Sequence, residues 1–202
     1  MFITLDGIDG VGKSTQIERL ISYLEQEGHE TLLVRDPGTT EIGARLRQIL
    51  LESDLELHQR TEAMLFMTSR CEMVETMIRP AISEGKTVVS DRFLLANVVY
   101  QSVGDKISPD VLWQMGRLAN GGLTPDLTIL LDMPAQRSME RIGKETDRME
   151  SRGVDYMEAV RQGFLQELTH SSEATAMIDA DQSPEDVSRE MLAIVAEVLS
   201  KR

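Results

Sequence analysis

The stretch D-G-I-D-G-V-G-K-S-T, residues 6–15, decides the fold of this chain. In it, Gly7, Gly12, Lys13 and Ser14 match the spacing G-x-x-x-x-G-K-S, which is typical of a loop that surrounds phosphate oxygens. Glycines allow the backbone to curl until successive N–H groups point inward, and the positive end of the following helix adds to their attraction for an anion. The spacing therefore predicts a phosphate-binding loop, and the alternative is a glycine-rich turn without a ligand.

The segments on either side of the loop favour the first interpretation. The apolar run M-F-I-T-L-D at residues 1–6 is typical of a buried strand, and residues 16–28 have helical apolar spacing. Strand, glycine loop and helix in this order are the context that the motif requires. We expect Lys13 to reach the β- and γ-phosphates and the Ser14 hydroxyl to coordinate Mg²⁺. The predicted ATP-binding residues are Gly7, Ile8, Asp9, Gly10, Val11, Gly12, Lys13, Ser14 and Thr15.

Apolar runs alternate with helical segments along the whole chain. The five predicted strands lie at residues 1–6, 30–36, 86–91, 126–132 and 174–180. This alternation predicts an α/β three-layer sandwich with a five-stranded, mostly parallel sheet, similar to P-loop nucleoside triphosphate hydrolases. Because no linker or internal repeat interrupts it, we expect a single domain over residues 1–202. Ligands of such sheets bind beyond the carboxyl ends of the strands. Besides the loop, those ends carry Arg35-Asp36, Asp91-Arg92 and Asp132.

Local sequence also predicts where some helices begin and end. Ser108 is a helix N-cap candidate because Pro109 follows it, and another helix is expected to begin at Ser183 with an acidic first turn. The helical pattern over residues 61–85 is expected to end or bend near Pro80, because proline lacks the N–H that a helix interior needs.

The composition narrows the classes of partner and compartment. A formal charge of −13 over 202 residues argues against a nucleic-acid polymer as partner. Cys71 is the single cysteine, so no internal disulfide is possible and a reducing cytoplasm is expected; we interpret Cys71 as a helix residue rather than a nucleophile. The opening lacks the basic region of a signal peptide, and no window approaches the roughly 18 apolar residues of a membrane span, so no membrane partner is expected.

The phosphate loop alone leaves the reaction type open, because it serves GTPase switches, ATPase motors and small-molecule kinases alike. The chain has no Asn-Lys-x-Asp element for reading guanine, and its third strand ends in S-D-R-F (residues 90–93) rather than a glycine-rich switch segment. A kinase also needs a second pocket for the phosphoryl acceptor.

Further segments, in their order and spacing, make the chain resemble the thymidylate kinase family of nucleoside monophosphate kinases. The resemblance runs from residue 3 to about residue 195 and is carried by D-G-I-D-G-V-G-K-S-T, R-D-P-G-T-T, F-M-T-S-R, S-D-R-F, Y-Q, P-D-L-T-I-L-L-D, D-R-M-E and I-D-A. It implies transfer of the γ-phosphoryl group of ATP to dTMP, giving dTDP and ADP, in dTTP synthesis. It also implies Mg²⁺ as cofactor and a homodimer.

The resemblance implies where the acceptor's base and sugar bind. Phe66 would stack on the thymine ring and Arg70, four residues later on the same helix face, would hydrogen-bond its carbonyl edge. The alternative is a core phenylalanine beside a solvated arginine. Asn97, Tyr100 and Gln101 have helical spacing and would line the same cavity, with the tyrosine ring against the sugar C2′. For these three the alternative is a solvated helix edge.

Arginine and aspartate residues at two strand ends are candidates for the phosphate end of the site. We predict that Arg92 holds the acceptor phosphate, as suits a planar guanidinium. We predict that Asp91 holds Mg²⁺ through water, as the acid at the strand end does in other phosphate-loop enzymes. The two could instead form a structural ion pair. Arg35 is a further phosphate candidate, and Thr39 stands where the family pattern has a glycine.

Asp9 is the unusual residue of the loop, because a carboxylate facing a triphosphate at about 4 Å would cost on the order of 1–4 kcal/mol. We expect it to point out of the cradle, and the resemblance implies that it contacts the sugar 3′-hydroxyl. The alternative is a loop residue that points to solvent.

A basic stripe is expected to form a mobile lid over residues 137–152. Arg137, Arg141, Lys144 and Arg148 lie on one helical face, and Gly143 weakens the helix there. The resemblance is to the subgroup with basic residues in the lid rather than in the loop, which implies that Arg141 and Arg148 clamp the transferring phosphoryl group. The alternative is a solvated face with Glu140–Lys144 and Glu145–Arg148 pairs. The predicted catalytic residues are Lys13, Asp9, Arg92, Arg141 and Arg148.

Overall fold

The computed structural model describes residues 1–104, 107–142 and 153–201. Within them the strands are β1 (Phe2–Asp6), β2 (Thr31–Arg35), β3 (Thr87–Asp91), β4 (Leu127–Asp132) and β5 (Ala174–Asp179). They form one five-stranded sheet in the order β2-β3-β1-β4-β5, with every neighbouring pair parallel. The predicted α/β class and strand positions are therefore confirmed, and the sheet is wholly rather than mostly parallel over these residues.

Helices cover both faces of the sheet, which gives the predicted three layers. They are α1 (Lys13–Gln26), α2 (Glu41–Arg47), α3 (Gln59–Met73), α4 (Arg79–Ser83), α5 (Leu94–Ser102), α6 (Pro109–Ala119), α7 (Ala135–Ile142), α8 (Val154–Glu167) and α9 (Pro184–Ser200). Helix α1 packs against α9, and α5 packs against α6 and α8. No helix in the described ranges combines the length and the apolar character needed to cross a membrane.

The parallel register brings the functional ends of the strands together. All five residues of β1 and of β3 are buried, as expected for apolar strands covered on both faces. Leu5 of β1 lies opposite Asp91 of β3 and Ile129 of β4. The phosphate loop after β1 and the Asp91-Arg92 pair after β3 therefore meet at one edge of the sheet.

The expected helix starts are present. The Ser108 hydroxyl accepts a hydrogen bond from the Val111 N–H at the start of α6, and the Ser183 hydroxyl accepts one from the Asp186 N–H at the start of α9. Each satisfies a backbone donor that has no partner inside the helix.

The irregularity expected near Pro80 also occurs. A turn of π-helix, Val74–Ile78, separates α3 from α4, and Pro80 lies in the first turn of α4, where a missing N–H is tolerated. The helical path then continues to Ser83.

The predicted lid is described only in part. Its first residues, up to Ile142, form the end of α7. Gly143, Lys144, Arg148 and the two alternative ion pairs lie outside the described residues.

We expect Ser183→Ala to lower the free energy of unfolding by about 1 kcal/mol, because α9 loses its N-cap acceptor. Urea denaturation followed by circular dichroism measures the change. Ser183→Thr, which keeps a hydroxyl at the cap, is the control and should retain most of the stability. Equal losses for both variants would contradict a capping role.

Candidate active site

The phosphate loop depends on two glycines that no other residue could replace. Gly7 and Gly10 have positive φ angles of 140° and 81°. A Cβ atom on Gly7 would lie 2.5 Å from the Leu131 carbonyl oxygen, and one on Gly10 would lie 2.3 Å from the Ser138 carbonyl oxygen. The backbone of the loop is thus packed directly against β4 and α7, which holds its shape.

Lys13 folds back onto the loop that precedes it. Its ammonium donates hydrogen bonds to the carbonyl oxygens of Gly7 at 3.1 Å and Ile8 at 2.8 Å, and to Asp9 Oδ1 at 3.3 Å. Burial lowers the pKa of the Lys13 ammonium, and the nearby Arg92 guanidinium acts in the same direction. The ammonium is therefore tethered inside the loop, where phosphate oxygens would compete for its hydrogen bonds.

The Asp9 carboxylate accepts hydrogen bonds from two cationic side chains and a phenol. Its Oδ1 accepts from Arg92 at 2.6 Å as well as from Lys13, and its Oδ2 accepts from the Tyr100 hydroxyl at 3.3 Å. Burial alone would raise the pKa of Asp9, but the charges of Arg92 and Lys13 outweigh it and hold that pKa well below its usual range. The carboxylate is ionised at neutral pH, and the interpretation of Asp9 as a solvent-pointing loop residue is wrong.

Arg92 reaches from the end of β3 across to the loop. One guanidinium nitrogen donates to the Gly7 carbonyl oxygen at 3.0 Å and another to Asp9, and the guanidinium carbon lies 5.2 Å from the centre of the Tyr100 ring. Burial lowers the pKa of Arg92, but the acidic groups around it, Asp9 foremost, together more than compensate and leave it above its usual value. Arg92 is a fixed positive charge at the mouth of the loop.

Asp91 pairs with Arg35 instead of with its neighbour. Arg35 Nε donates to Asp91 Oδ2 at 3.1 Å, so the expected alternative of a structural Asp91–Arg92 ion pair is wrong. The other oxygen, Asp91 Oδ1, is buried and has no hydrogen-bond partner among the described residues. This carboxylate and the exposed Ser14 hydroxyl line the same cleft, and hard oxygen donors of this kind fit a magnesium ion.

In the loop after β2, Thr39 occupies the position at which the family pattern has a glycine, and the turn there stays closed. Its hydroxyl accepts from the Arg35 N–H at 2.6 Å and donates to the Arg35 carbonyl oxygen at 3.0 Å. The hydroxyl thus closes the turn after β2.

Phe66 and Arg70 lie on the cleft side of α3, four residues apart, and both are buried. Arg70 Nε donates to Asp36 Oδ2 at 2.5 Å, and a terminal nitrogen donates to Asn97 Oδ1 at 3.0 Å. Arg70 is only 1% exposed, so the alternative of a solvated arginine is wrong. Its positive charge is compensated by one buried carboxylate.

The polar residues of α5 form a buried chain of hydrogen bonds. Asn97 Nδ2 donates to Gln101 Oε1 at 2.5 Å, and Gln101 Nε2 donates to Glu62 Oε1 at 3.1 Å. Asn97 is 3% exposed and Gln101 2%, so the interpretation as a solvated helix edge is wrong. These side chains and Tyr100 form one wall of the cavity.

Most of the predicted residues surround one cleft of about 340 Å³, but Gly7, Ile8 and Val11 of the loop do not line it. Its wall runs from the phosphate loop to α3 and α5; the predicted side chains that line it are Asp9, Lys13, Ser14, Thr15, Arg35, Phe66, Arg70, Asp91, Arg92, Asn97, Tyr100, Gln101 and Arg141. Sequence reasoning missed Pro37, Arg47 and Leu51, which close the cleft from the segment after β2. Arg47 donates to the Pro37 carbonyl oxygen at 3.1 Å. The amphipathic pattern of α2 does not distinguish this arginine from a surface one.

The basic stripe contributes one residue to the cleft within the described range. Arg141 lines it, donates to the Ala180 carbonyl oxygen at 3.2 Å and lies 3.7 Å from Asp181. Arg137 also pairs with Asp181, at 3.3 Å, but does not line the cleft. The root of the predicted lid is therefore attached to the segment between β5 and α9.

A sequence model of the family described as thymidylate kinase matches residues 5–191 of this chain. The chain belongs to the thymidylate kinase family. The thymidylate kinase of Rhodopirellula baltica is 62% identical over 192 residues, which cover 95% of this chain and 78% of that protein. Thymidylate kinases of Exiguobacterium sp. and Desulfovibrio desulfuricans are 40% and 38% identical over 204 and 212 residues, and these cover all of this chain and 96% and 98% of theirs.

These matches confirm the family that the sequence motifs predicted, and with it the assignment of the chain as an ATP-dependent kinase. Transfer of the γ-phosphoryl group of ATP to dTMP, the reaction expected from the motifs, is the reaction of the thymidylate kinase family. The roles of individual residues stay predictions.

This thymidylate kinase family member carries one buried acid that sequence reasoning missed. Asp6, the last residue of β1, is fully buried, and neither of its carboxylate oxygens has a hydrogen-bond partner among the described residues. Burial raises the pKa of Asp6 to about 7, although the Arg92 and Lys13 charges oppose this. The signal that could have found it is an acid at the end of an apolar strand, directly before the loop.

We expect Asp6→Asn to stabilise the protein clearly more near pH 8 than near pH 4. The pKa of Asp6 rises from its usual 3.8 to about 7 on folding, so between these values the native state binds more protons than the unfolded chain. The stability from Asp6 is complete below the lower value and is lost as the pH rises through the upper one, by at most about 1.4 kcal/mol per pH unit. Asparagine is neutral throughout.

Urea denaturation at both pH values measures this difference. Asp54→Asn, an exposed position, is the matched control and should leave the pH dependence unchanged. A gain in stability from Asp6→Asn that is the same at both pH values would contradict the interpretation.

Proposed function

We propose that ATP binds on the phosphate loop, that dTMP binds in the cleft beside it, and that the γ-phosphoryl group passes directly to the dTMP 5′-phosphate. The observation that carries this proposal is that one continuous cleft joins the loop to Phe66 and Arg70, with Arg92 between them. In-line phosphoryl transfer requires two nucleotides end to end, and the cleft provides both positions.

The charges along the cleft support this orientation of dTMP. At one end, the single carboxylate of Asp36 compensates the single charge of Arg70, which leaves directional donors without net charge, as a neutral base requires. At the other end, Lys13 and Arg92 share the one carboxylate of Asp9, so this group keeps a net positive charge. Phosphate groups are favoured at that end.

We assign the acceptor phosphate to Arg92 and Arg35 and the γ-phosphate to Lys13. The dTMP phosphate is largely ionised at neutral pH, since its second pKa is about 6, so no general base is needed. Catalysis then consists of holding two anions together and compensating the charge on the transferred group. Arg141 and Arg148 would complete that compensation from the lid, residues 137–152.

The sugar of dTMP would lie against Asp9 and Tyr100. The ionised Asp9 carboxylate accepts hydrogen bonds and suits the 3′-hydroxyl. Burial raises the pKa of Tyr100 above its usual value, although the Arg92 charge lowers it, so the phenol stays neutral and presents its ring face to the sugar. This supports a preference for a deoxyribose over a ribose.

Ser14 and Asp91 are the residues that would hold a magnesium ion. Both line the cleft, and the unpaired Asp91 Oδ1 is a suitable acceptor for metal-bound water. When bound, the ion would withdraw negative charge from the triphosphate oxygens.

We also propose that the chain is a single domain and forms a homodimer. We place it in a reducing cytoplasm and propose no nucleic-acid polymer as partner. Large apolar side chains are exposed on two neighbouring helices: Met64 of α3 is 57% exposed and Leu118 of α6 85%. A second copy covering this face would remove them from water. The single cysteine, Cys71, is exposed and suits a reducing compartment.

A panel of acceptors tests the proposed function. With ATP and Mg²⁺, we expect dTMP to be phosphorylated faster than dUMP, dGMP or thymidine, with dTDP as the labelled product. Faster turnover of dGMP or thymidine would indicate a different nucleotide or nucleoside kinase. A preference for GTP with slow hydrolysis and no need for an acceptor would indicate a nucleotide switch.

We expect Arg92→Ala to lower kcat by about 100- to 1,000-fold while ATP binding is retained, because the charge that aligns the acceptor phosphate is lost. Steady-state rates and calorimetric titration with ATP measure the two effects. Arg189→Ala, which removes an exposed arginine of α9 paired with Asp186, is the control. Unchanged turnover of Arg92→Ala would exclude Arg92 from the mechanism.

A further inference from the structure

A residue in the left-handed conformation joins β3 to α5. Arg92, directly after β3, has a φ of 68° and is the only non-glycine residue with positive φ among the residues that the structure describes. This conformation is unfavourable for any residue with a Cβ atom and persists only where the surroundings hold it. Contacts of the Arg92 main chain must therefore stabilise this conformation.

Both main-chain polar groups of Arg92 are bound. Its N–H donates to the Leu5 carbonyl oxygen of β1 at 3.0 Å, which extends the hydrogen bonding of the sheet by one residue. Its carbonyl oxygen accepts from the Ser90 hydroxyl at 2.5 Å. Ser90 is fully buried within β3, two residues before the arginine.

The residue type at position 90 is matched to this contact. Ser90 follows two buried valines in the strand T-V-V-S-D, and a third valine would suit a fully buried strand position better. Valine, however, has no donor, whereas the serine hydroxyl reaches the carbonyl two residues later. The serine therefore stabilises the turn after the strand rather than the strand itself.

The turn determines where the guanidinium lies. From its left-handed backbone, Arg92 reaches the loop after β1 and donates to the Gly7 carbonyl oxygen and to Asp9. A relaxed backbone at this residue would point the side chain elsewhere, because φ sets the direction of the Cα–Cβ bond relative to the strand.

We propose that Ser90 is a positioning residue, whose hydroxyl holds the Arg92 backbone in the left-handed turn and so directs the guanidinium to the acceptor phosphate. The inference rests on the proposed role of Arg92. Ser90 itself touches neither nucleotide.

Ser90→Ala tests the inference. We expect kcat/KM for dTMP to fall about tenfold, because the Arg92 carbonyl loses its donor and the arginine loses its orientation, while the KM for ATP stays unchanged. Ser171→Ala is the matched control: its buried hydroxyl donates to the Leu168 carbonyl oxygen at 2.6 Å, in a 3₁₀ turn that does not line the cleft. Ser90→Cys, which is close in volume and a poor donor, should show a similar loss and replaces the alanine variant if that one folds poorly.

A double-mutant cycle with Arg92→Ala separates positioning from a general structural effect. If Ser90 acts through Arg92, Ser90→Ala causes no further loss of kcat/KM in the Arg92→Ala background. Losses that multiply in the double variant would overturn the inference, as would full activity of both Ser90 variants. Full activity of Arg92→Ala would instead exclude Arg92 from the proposed mechanism, on which the inference rests.

Discussion

The Asp9 carboxylate between Lys13 and Arg92 is the interaction on which the candidate site depends. Two cations that converge at the mouth of one loop repel each other, and both are largely removed from water. A single carboxylate at 3.3 Å from one and 2.6 Å from the other makes that convergence possible. The acid that is surprising in this loop is therefore the counter-ion that the two positive charges share.

The number of carboxylates per cation differs between the two ends of the cleft. Arg70 is compensated one to one by the buried Asp36, whereas Lys13 and Arg92 share one acid. The two arginines, Arg70 and Arg92, therefore differ in how fully their charge is compensated, because their partners differ. A compensated guanidinium reads the shape and hydrogen bonds of a neutral group, and an incompletely compensated one attracts an anion.

The agreement between sequence and structure was closest where a local rule applies. The G-x-x-x-x-G-K-S spacing, the Ser108 and Ser183 helix starts and the turn near Pro80 each follow from the chemistry of a few adjacent residues. Pairings between distant residues were not accessible in this way. The alternative of an Asp91–Arg92 ion pair considered only sequence neighbours, whereas the structure pairs each with a residue from another strand end.

Asp6 and Arg47 are two residues whose surroundings could not be predicted from the sequence. Each looks ordinary in sequence, since an acid often ends a strand and an arginine often lies on a helix surface. Only the packing shows that Asp6 has no polar partner among the described residues and that Arg47 lines the cleft.

By itself, the sequence determined the α/β fold, the position of the phosphate loop and the family, because these depend on short-range spacing and on hydrophobic periodicity. The tertiary structure decided which charges pair one to one and which share a single partner. That decision depends on distances of a few ångströms between side chains that are far apart along the chain, such as Asp9 and Arg92, and such distances exist only once the strands of the sheet have aligned.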